Sequence, residues 1–158
     1  MKESEGMKLL FPKFVQVSAD KKRYLPLLLL ADEQEDMIDR YLSRGDMFVL
    51  EDEGVKAVCV VTDEGEGVLE IKNLAVEPKA QGKGYGRAMI EYIACTYAGR
   101  LHTLRVGTGD SPLTIPFYER CGFVRSGVIP GFFTKNYDHP IVEEGVLLTD
   151  MVLLEREI

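Results

Sequence analysis

The chain has 158 residues, 46% of them hydrophobic and 28% charged, and a formal net charge of −7. That length and balance fit one folded domain, residues 1–158, with a sizeable core. The negative charge argues against nucleic acid or an anionic membrane as a partner, and the longest apolar run, Leu25–Ala31, is far too short to span a bilayer. Cys59, Cys95 and Cys121 stand in apolar surroundings without C-x-x-C spacing, so they read as buried free thiols of a reducing compartment. With His102 and His139 the only histidines, no metal site is expected. The start, Met1-Lys2-Glu3-Ser4-Glu5, has no apolar stretch behind it, which predicts no export leader and a cytoplasmic location.

In chain order, Phe14 to Ser18 alternates apolar and polar residues and predicts a first strand. Tyr24 to Ala31 and Glu33 to Arg44 read as helices. In the second, Met37, Ile38, Tyr41 and Leu42 make an apolar stripe, and Gly45 stops it. Met47 to Glu51 and Val55 to Thr62 form a hairpin around Asp52-Glu53-Gly54. Asp63 to Gly67 is a turn, and Val68 to Val76 the following strand. Gly84 to Ala98 is a helix with Met89, Ile90, Ile93 and Tyr97 on one side. Thr103 to Val106 is a short strand, and Ile115 to Cys121 a helix with Pro116 in its first turn. Phe123 to Val128 and Val146 to Leu154 close the sheet.

Between the fourth strand and its helix lies Gln81-Gly82-Lys83-Gly84-Tyr85-Gly86-Arg87. Three alternating glycines let successive backbone N–H groups turn inward without a Cβ in the way. Those amides stand at a helix start, where unpaired N–H groups and the helix dipole favour an anion. Lys83 and Arg87 add positive charge, so the turn predicts a pyrophosphate cradle; the plainer alternative is a tight strand-to-helix turn. A P-loop needs Ser or Thr after Gly-Lys, and here Gly84 follows. The dinucleotide fingerprint places its third glycine one residue later than Gly86.

Gln81 to Gly86 resembles the phosphate loop of the GCN5-related N-acetyltransferase (GNAT) family, with Gln or Arg, two residues, Gly, one residue, then Gly or Ala. About thirty residues on, Phe117-Tyr118-Glu119-Arg120-Cys121-Gly122-Phe123 resembles the same family's tyrosine-bearing helix and its entry to the next strand. The resemblance is closest from Val68 to Val128. The run Asp138-His139-Pro140-Ile141 and the last strand look like a bacterial subgroup of small members with no assigned substrate. The resemblance implies an α/β (α+β) GNAT-like fold: a mixed sheet of about seven strands flanked by about four helices.

It also implies acetyl transfer from acetyl-CoA to a primary amine of a small molecule or peptide. In the family two parallel strands splay apart and the cofactor's arm hydrogen-bonds to one of them, which here is the backbone of Leu74, Ala75 and Val76. The N–H of Leu74 then faces the thioester oxygen, and Gln81, Gly82, Lys83, Gly84, Tyr85, Gly86 and Arg87 hold the phosphates. Tyr118 takes the general-acid position, since a phenol, with an ordinary pKa of about 10, is protonated at neutral pH. Read by itself, it is more simply a tyrosine packed under the sheet. Glu70 takes the position of a base, and a structural or substrate-binding role stays open. On a regular strand it shares a face with Leu74.

The family's cofactor-contacting asparagine is matched here by Asp110, a carboxylate that cannot donate, so a turn or capping role stands open there beside a cofactor contact. Phe132, Phe133, Tyr137 and His139 could line an acceptor pocket or belong to a covering loop, and Glu143 and Glu144 could attract an amine. No histidine adjoins Cys121 to activate it, which favours direct attack over an acetyl-cysteine route. The family often forms dimers. A non-catalytic acyl-CoA sensor, or a loop for another phosphate ligand, are the alternative readings.

Overall fold

The alternating and β-branched runs of the chain assemble into a seven-stranded mixed sheet, order β1-β2-β3-β4-β5-β9-β6, in a computed structural model that describes residues 12–158. The strands are β1 Lys13–Val17, β2 Asp46–Glu51, β3 Val55–Gly65, β4 Val68–Val76, β5 Thr103–Gly109, β6 Val124–Ile129 and β9 Met151–Glu157, and a separate hairpin pairs β7 Val142–Glu143 with β8 Val146–Leu147. Five α-helices lie among the described residues: α1 Leu25–Ala31, α2 Glu35–Asp39, α3 Tyr85–Tyr97, α4 Thr114–Arg120 and α5 Phe132–Asn136. The leader reading at Met1–Glu5 falls outside the described residues. Among those described, no helix is long and apolar enough to cross a membrane.

Contacts divide the chain into two units, one running through Val61 and resuming at Asn73–Ile93, the other made of Thr62–Lys72 and Ala94–Ile158. In the first unit β1 and β3 flank β2 antiparallel. Met47 and Val49 of β2 and Val58 and Val60 of β3 meet Leu28, Ile38, Tyr41 and Leu42 in one buried cluster. Tyr92 of α3 stacks on Phe14 at 4.2 Å and meets Phe48 edge-on at 5.6 Å. In the second unit β5 is paired antiparallel with β9, which also carries the edge strand β6.

The fourth strand matches the expected bounds, whereas the second helix, β3, β5 and the last strand depart from them by more than two residues. The second helix ends at Asp39 rather than Arg44. Beyond it the N–H groups of Arg40 and Tyr41 reach carbonyls only three residues back, and Lys21 Nζ draws off the carbonyls of Leu42 and Gly45 at 2.8 and 2.7 Å. The apolar stripe survives, with Met37, Ile38, Tyr41 and Leu42 all buried. β3 runs on through Gly65, because Glu66 and Gly67, both at positive φ, make the whole turn. The expected strand Val146–Leu154 is two strands. Thr149 and Asp150 between them accept from the N–H groups of Phe133 and Gly131, which holds that stretch to α5 rather than to the sheet. Cys95 is exposed, on the outward face of α3, whereas Cys59 and Cys121 are buried.

Candidate active site

The loop after β4 has the geometry of an anion cradle. Gly82 and Gly84 adopt φ of +77° and +90°, with Lys83 between them, and a Cβ at either glycine would project into open space. Such alternation turns successive N–H groups to one side. The helical ladder of α3 opens with Ala88 N–H donating to Gly84 at 3.0 Å, so the amides of Tyr85, Gly86 and Arg87 have no carbonyl four residues back to bond. An open concavity lined by unpaired amides suits a diphosphate. Two side chains anchor the loop: Gln81 Nε2 donates to the Val76 carbonyl at 3.1 Å, and the Tyr85 hydroxyl donates to Asp52 Oδ2 at 2.6 Å. The bond to Asp52 pushes the Tyr85 phenol above its ordinary pKa. Asp52 belongs to the β2–β3 turn, a support that the sequence reading missed because it comes from a distant element.

β4 pairs in parallel with β5 over Val68–Ile71 and Thr103–Val106, and Leu74, Ala75 and Val76 lie past that register. From Ile71 to Val76 burial alternates without a break: Ile71, Asn73 and Ala75 are buried, Lys72, Leu74 and Val76 only partly so. Asn73, not singled out from sequence, ties β4 to α1 and to the turn that follows α2. Its Nδ2 donates to the Leu28 carbonyl at 3.0 Å and to the Tyr41 hydroxyl at 3.1 Å, and Tyr41 in turn donates to Asp32 at 2.9 Å. Burial pushes the Tyr41 phenol well above its usual range.

Glu70 is buried, and both of its oxygens are engaged. Oε1 accepts from Arg105 Nε at 2.7 Å and Oε2 from Lys72 Nζ at 2.6 Å. Lys72 could have been found by alternation along β4; Arg105 comes from the neighbouring strand in register with Glu70 and has no local signal.

Tyr118 on α4 is 8% exposed and packs edge-on against Phe117 and Phe123 at 5.1 and 5.4 Å. Its carbonyl accepts from the N–H groups of Cys121 and Phe123, which closes the helix and turns the chain into β6. Asp110 is exposed, and a turn hydrogen bond in its loop is made by the next residue: buried Ser111 accepts the Leu113 N–H on its Oγ at 3.1 Å. Phe132, Phe133 and Tyr137 cluster around α5, a short helix in a stretch read from sequence as lining an acceptor pocket or as a covering loop, and the Phe133 and Tyr137 rings stack at 5.7 Å. His139 is exposed and pairs with Asp138. Glu144, at φ 49°, forms the corner of the β7–β8 hairpin with Gly145. No group of acidic, histidine or cysteine residues among the described ones is arranged to hold a metal ion.

The sheet order, the glycine cradle and the tyrosine helix agree with one further finding: residues 43–125, more than half of the chain, match the acetyltransferase (GNAT) domain. The chain belongs to the GNAT family of N-acetyltransferases. It is 35% identical over 132 residues to the uncharacterized N-acetyltransferase YvbK of Bacillus subtilis (strain 168), a match covering 81% of this chain and 84% of that one. It is also similar to the IAA acetyltransferase from Bacillus cereus ATCC 14579, with 33% identity and a TM-score of 0.86 over 94% of this chain and 100% of that one. A GNAT family acetyltransferase from Elizabethkingia anophelis, solved with acetyl-CoA bound, shares 30% identity, with a TM-score of 0.87 over 93% of this chain and 98% of that one.

Proposed function

We propose that this protein transfers the acetyl group of acetyl-CoA to a primary amine of a small molecule or peptide in the cytoplasm, by direct attack rather than through an acetylated cysteine. The observation that carries the reading is the cradle at Gly82 and Gly84, which is open, glycine-built and set at the start of α3. The acetyl-CoA bound to the Elizabethkingia anophelis relative supports the same ligand here.

Acetyl-CoA supplies an acetyl group activated as a thioester. The amides from Gly82 to Arg87, with the Lys83 and Arg87 side chains, hold its diphosphate, and the backbone of Leu74, Ala75 and Val76 aligns its arm. The Leu74 N–H donates to the carbonyl oxygen as charge develops there, a contribution of about 2.7–4 kcal/mol for one preorganised donor. As the amine nitrogen bonds to the carbonyl carbon and the carbon–sulfur bond breaks, Tyr118 gives its proton to the sulfur. Glu70, held in place by Arg105 and Lys72, takes the amine's proton through water on its remaining lone pairs. Cys121, at 4% exposure, is poorly placed as a nucleophile, so Cys121→Ala is expected to keep substantial turnover. The test is release of the CoA thiol from acetyl-CoA over a panel of amines. Turnover of at least one amine is the expected result, and tight acetyl-CoA binding with no amine acetylated would favour a sensor.

A further inference from the structure

Glu70 is flanked by two cations, and Arg105 stands in register between Glu70 of β4 and Glu155 of β9. The two oxygens of Glu70 each accept from one cation, Lys72 at 2.6 Å and Arg105 at 2.7 Å, so the three side chains carry a net charge of +1. Both cations keep donors in reserve. An ammonium has three N–H bonds and a guanidinium five, and the bonds to Glu70 are the ones that Lys72 and Arg105 make among the described residues. In Arg105 the bond uses Nε, leaving both terminal nitrogens, a planar pair, for another group. The Lys72 and Arg105 side chains are 23% and 26% exposed, against 11% for Glu70. They are therefore open to solvent while partly withdrawn from it, where charge is screened less than on an open surface. Lys72 shares its face of β4 with Glu70, the proposed base.

We propose that Lys72 and Arg105 bind a carboxylate of the acceptor, so that the substrate is an amine that also carries a carboxylic acid, an amino acid or a close analogue. This rests on the acetyl-transfer reading above. A carboxylate matches the paired terminal nitrogens of a guanidinium in a planar, bidentate way. The adjacent Glu70 opposes a dianionic phosphate more than a monoanion, which favours the carboxylate. With the acid held there, the amine of the same molecule lies within reach of Glu70.

The test compares the twenty common amino acids, each with its own carboxamide, as acceptors for the wild-type protein, following thiol release from acetyl-CoA. Phosphoethanolamine beside ethanolamine serves as the phosphate arm. At least one amino acid is expected to exceed its amide about 10-fold or more in kcat/KM, mainly through KM, as the loss of a charge-assisted pair implies. Arg105→Gln and Lys72→Met are expected to remove most of that preference by raising the acceptor KM, with the KM for acetyl-CoA unchanged. Arg105→Lys keeps the charge without the fork and is expected to fall between, which separates lost recognition from lost folding. Amides used as well as acids, a preference confined to the phosphate, no acid acetylated by protein that binds acetyl-CoA, or variants that keep the preference would each overturn the proposal. Acetylation of simple amines without acid preference sinks this inference alone, and failure to bind acetyl-CoA in calorimetry removes both it and the reading beneath it.

Discussion

Tyr118 and Glu70 are held in different ways, and the difference sets what each substitution should do. Tyr118 is positioned by packing against two phenylalanine rings, so Tyr118→Phe leaves its surroundings filled. It is expected to lower kcat by about 10²–10⁴-fold, the usual worth of a positioned proton donor, with little change in the KM for acetyl-CoA. Steady-state kinetics in both substrates checks this, and an unchanged kcat would remove the tyrosine from the proton path. Glu70 is positioned by charge, and Glu70→Gln keeps the shape while releasing Lys72 and Arg105 from their shared anion. A base role predicts loss of kcat; an anchoring role predicts a raised acceptor KM with kcat little changed. Tyr118 was singled out from one short motif and Glu70 from its position four residues before Leu74 on β4. Their surroundings were not legible, because Arg105 reaches Glu70 across 35 positions of sequence and only strand register brings them together.

Elements with local causes were read closely, whereas those shaped by distant partners were not. The bounds of β4 follow from its own alternation and from Pro78 after it. α2 gives way to tighter turns after Asp39, with Lys21 capping the carbonyls of Leu42 and Gly45, and β5 outruns its expected end because Gly107 and Gly109, which look like a stop, admit Met151 and Leu148 over the strand. Gly45 shows the same dependence. It was read as a helix stop, and the structure adds that a Cβ there would lie 2.7 Å from Val60 Cγ1 and 3.0 Å from the carbonyl oxygens of Tyr41 and Val61. Gly45→Ala is therefore expected to destabilise the fold by about 1–3 kcal/mol, the range for overpacking. Chemical denaturation of the variant beside the wild type measures it, and an equal midpoint would show that β2 and β3 yield more easily than their burial implies.

Across the whole molecule, burial of two weak acids ties stability to alkaline pH. Burial pushes the Cys59 thiol and the Tyr41 phenol above their ordinary values of 9.0 and 10.0. Both groups thus keep their protons longer in the folded chain than in the unfolded one. The stability they contribute is whole below those ordinary values and is lost as pH rises through and beyond them, at up to about 1.4 kcal/mol per pH unit for each group. Urea midpoints should hold level from neutral pH to about 8.5 and fall above about 9, with Tyr41→Phe flattening the upper part of the fall. A midpoint that stays level to pH 11 would contradict the burial assigned to both. Such a chain still needs its ligand to act, and that ligand depends on one loop.

The most direct test of the account is calorimetric titration of the protein with acetyl-CoA beside a Gly84→Glu variant. At φ +90° and with open space beyond its missing Cβ, Gly84 is the point where a carboxylate side chain would fill the cradle and repel a diphosphate. Saturable binding by the wild type, abolished in a variant that still folds, is the predicted result. Absence of binding by the wild type, or binding unchanged by the substitution, would contradict it.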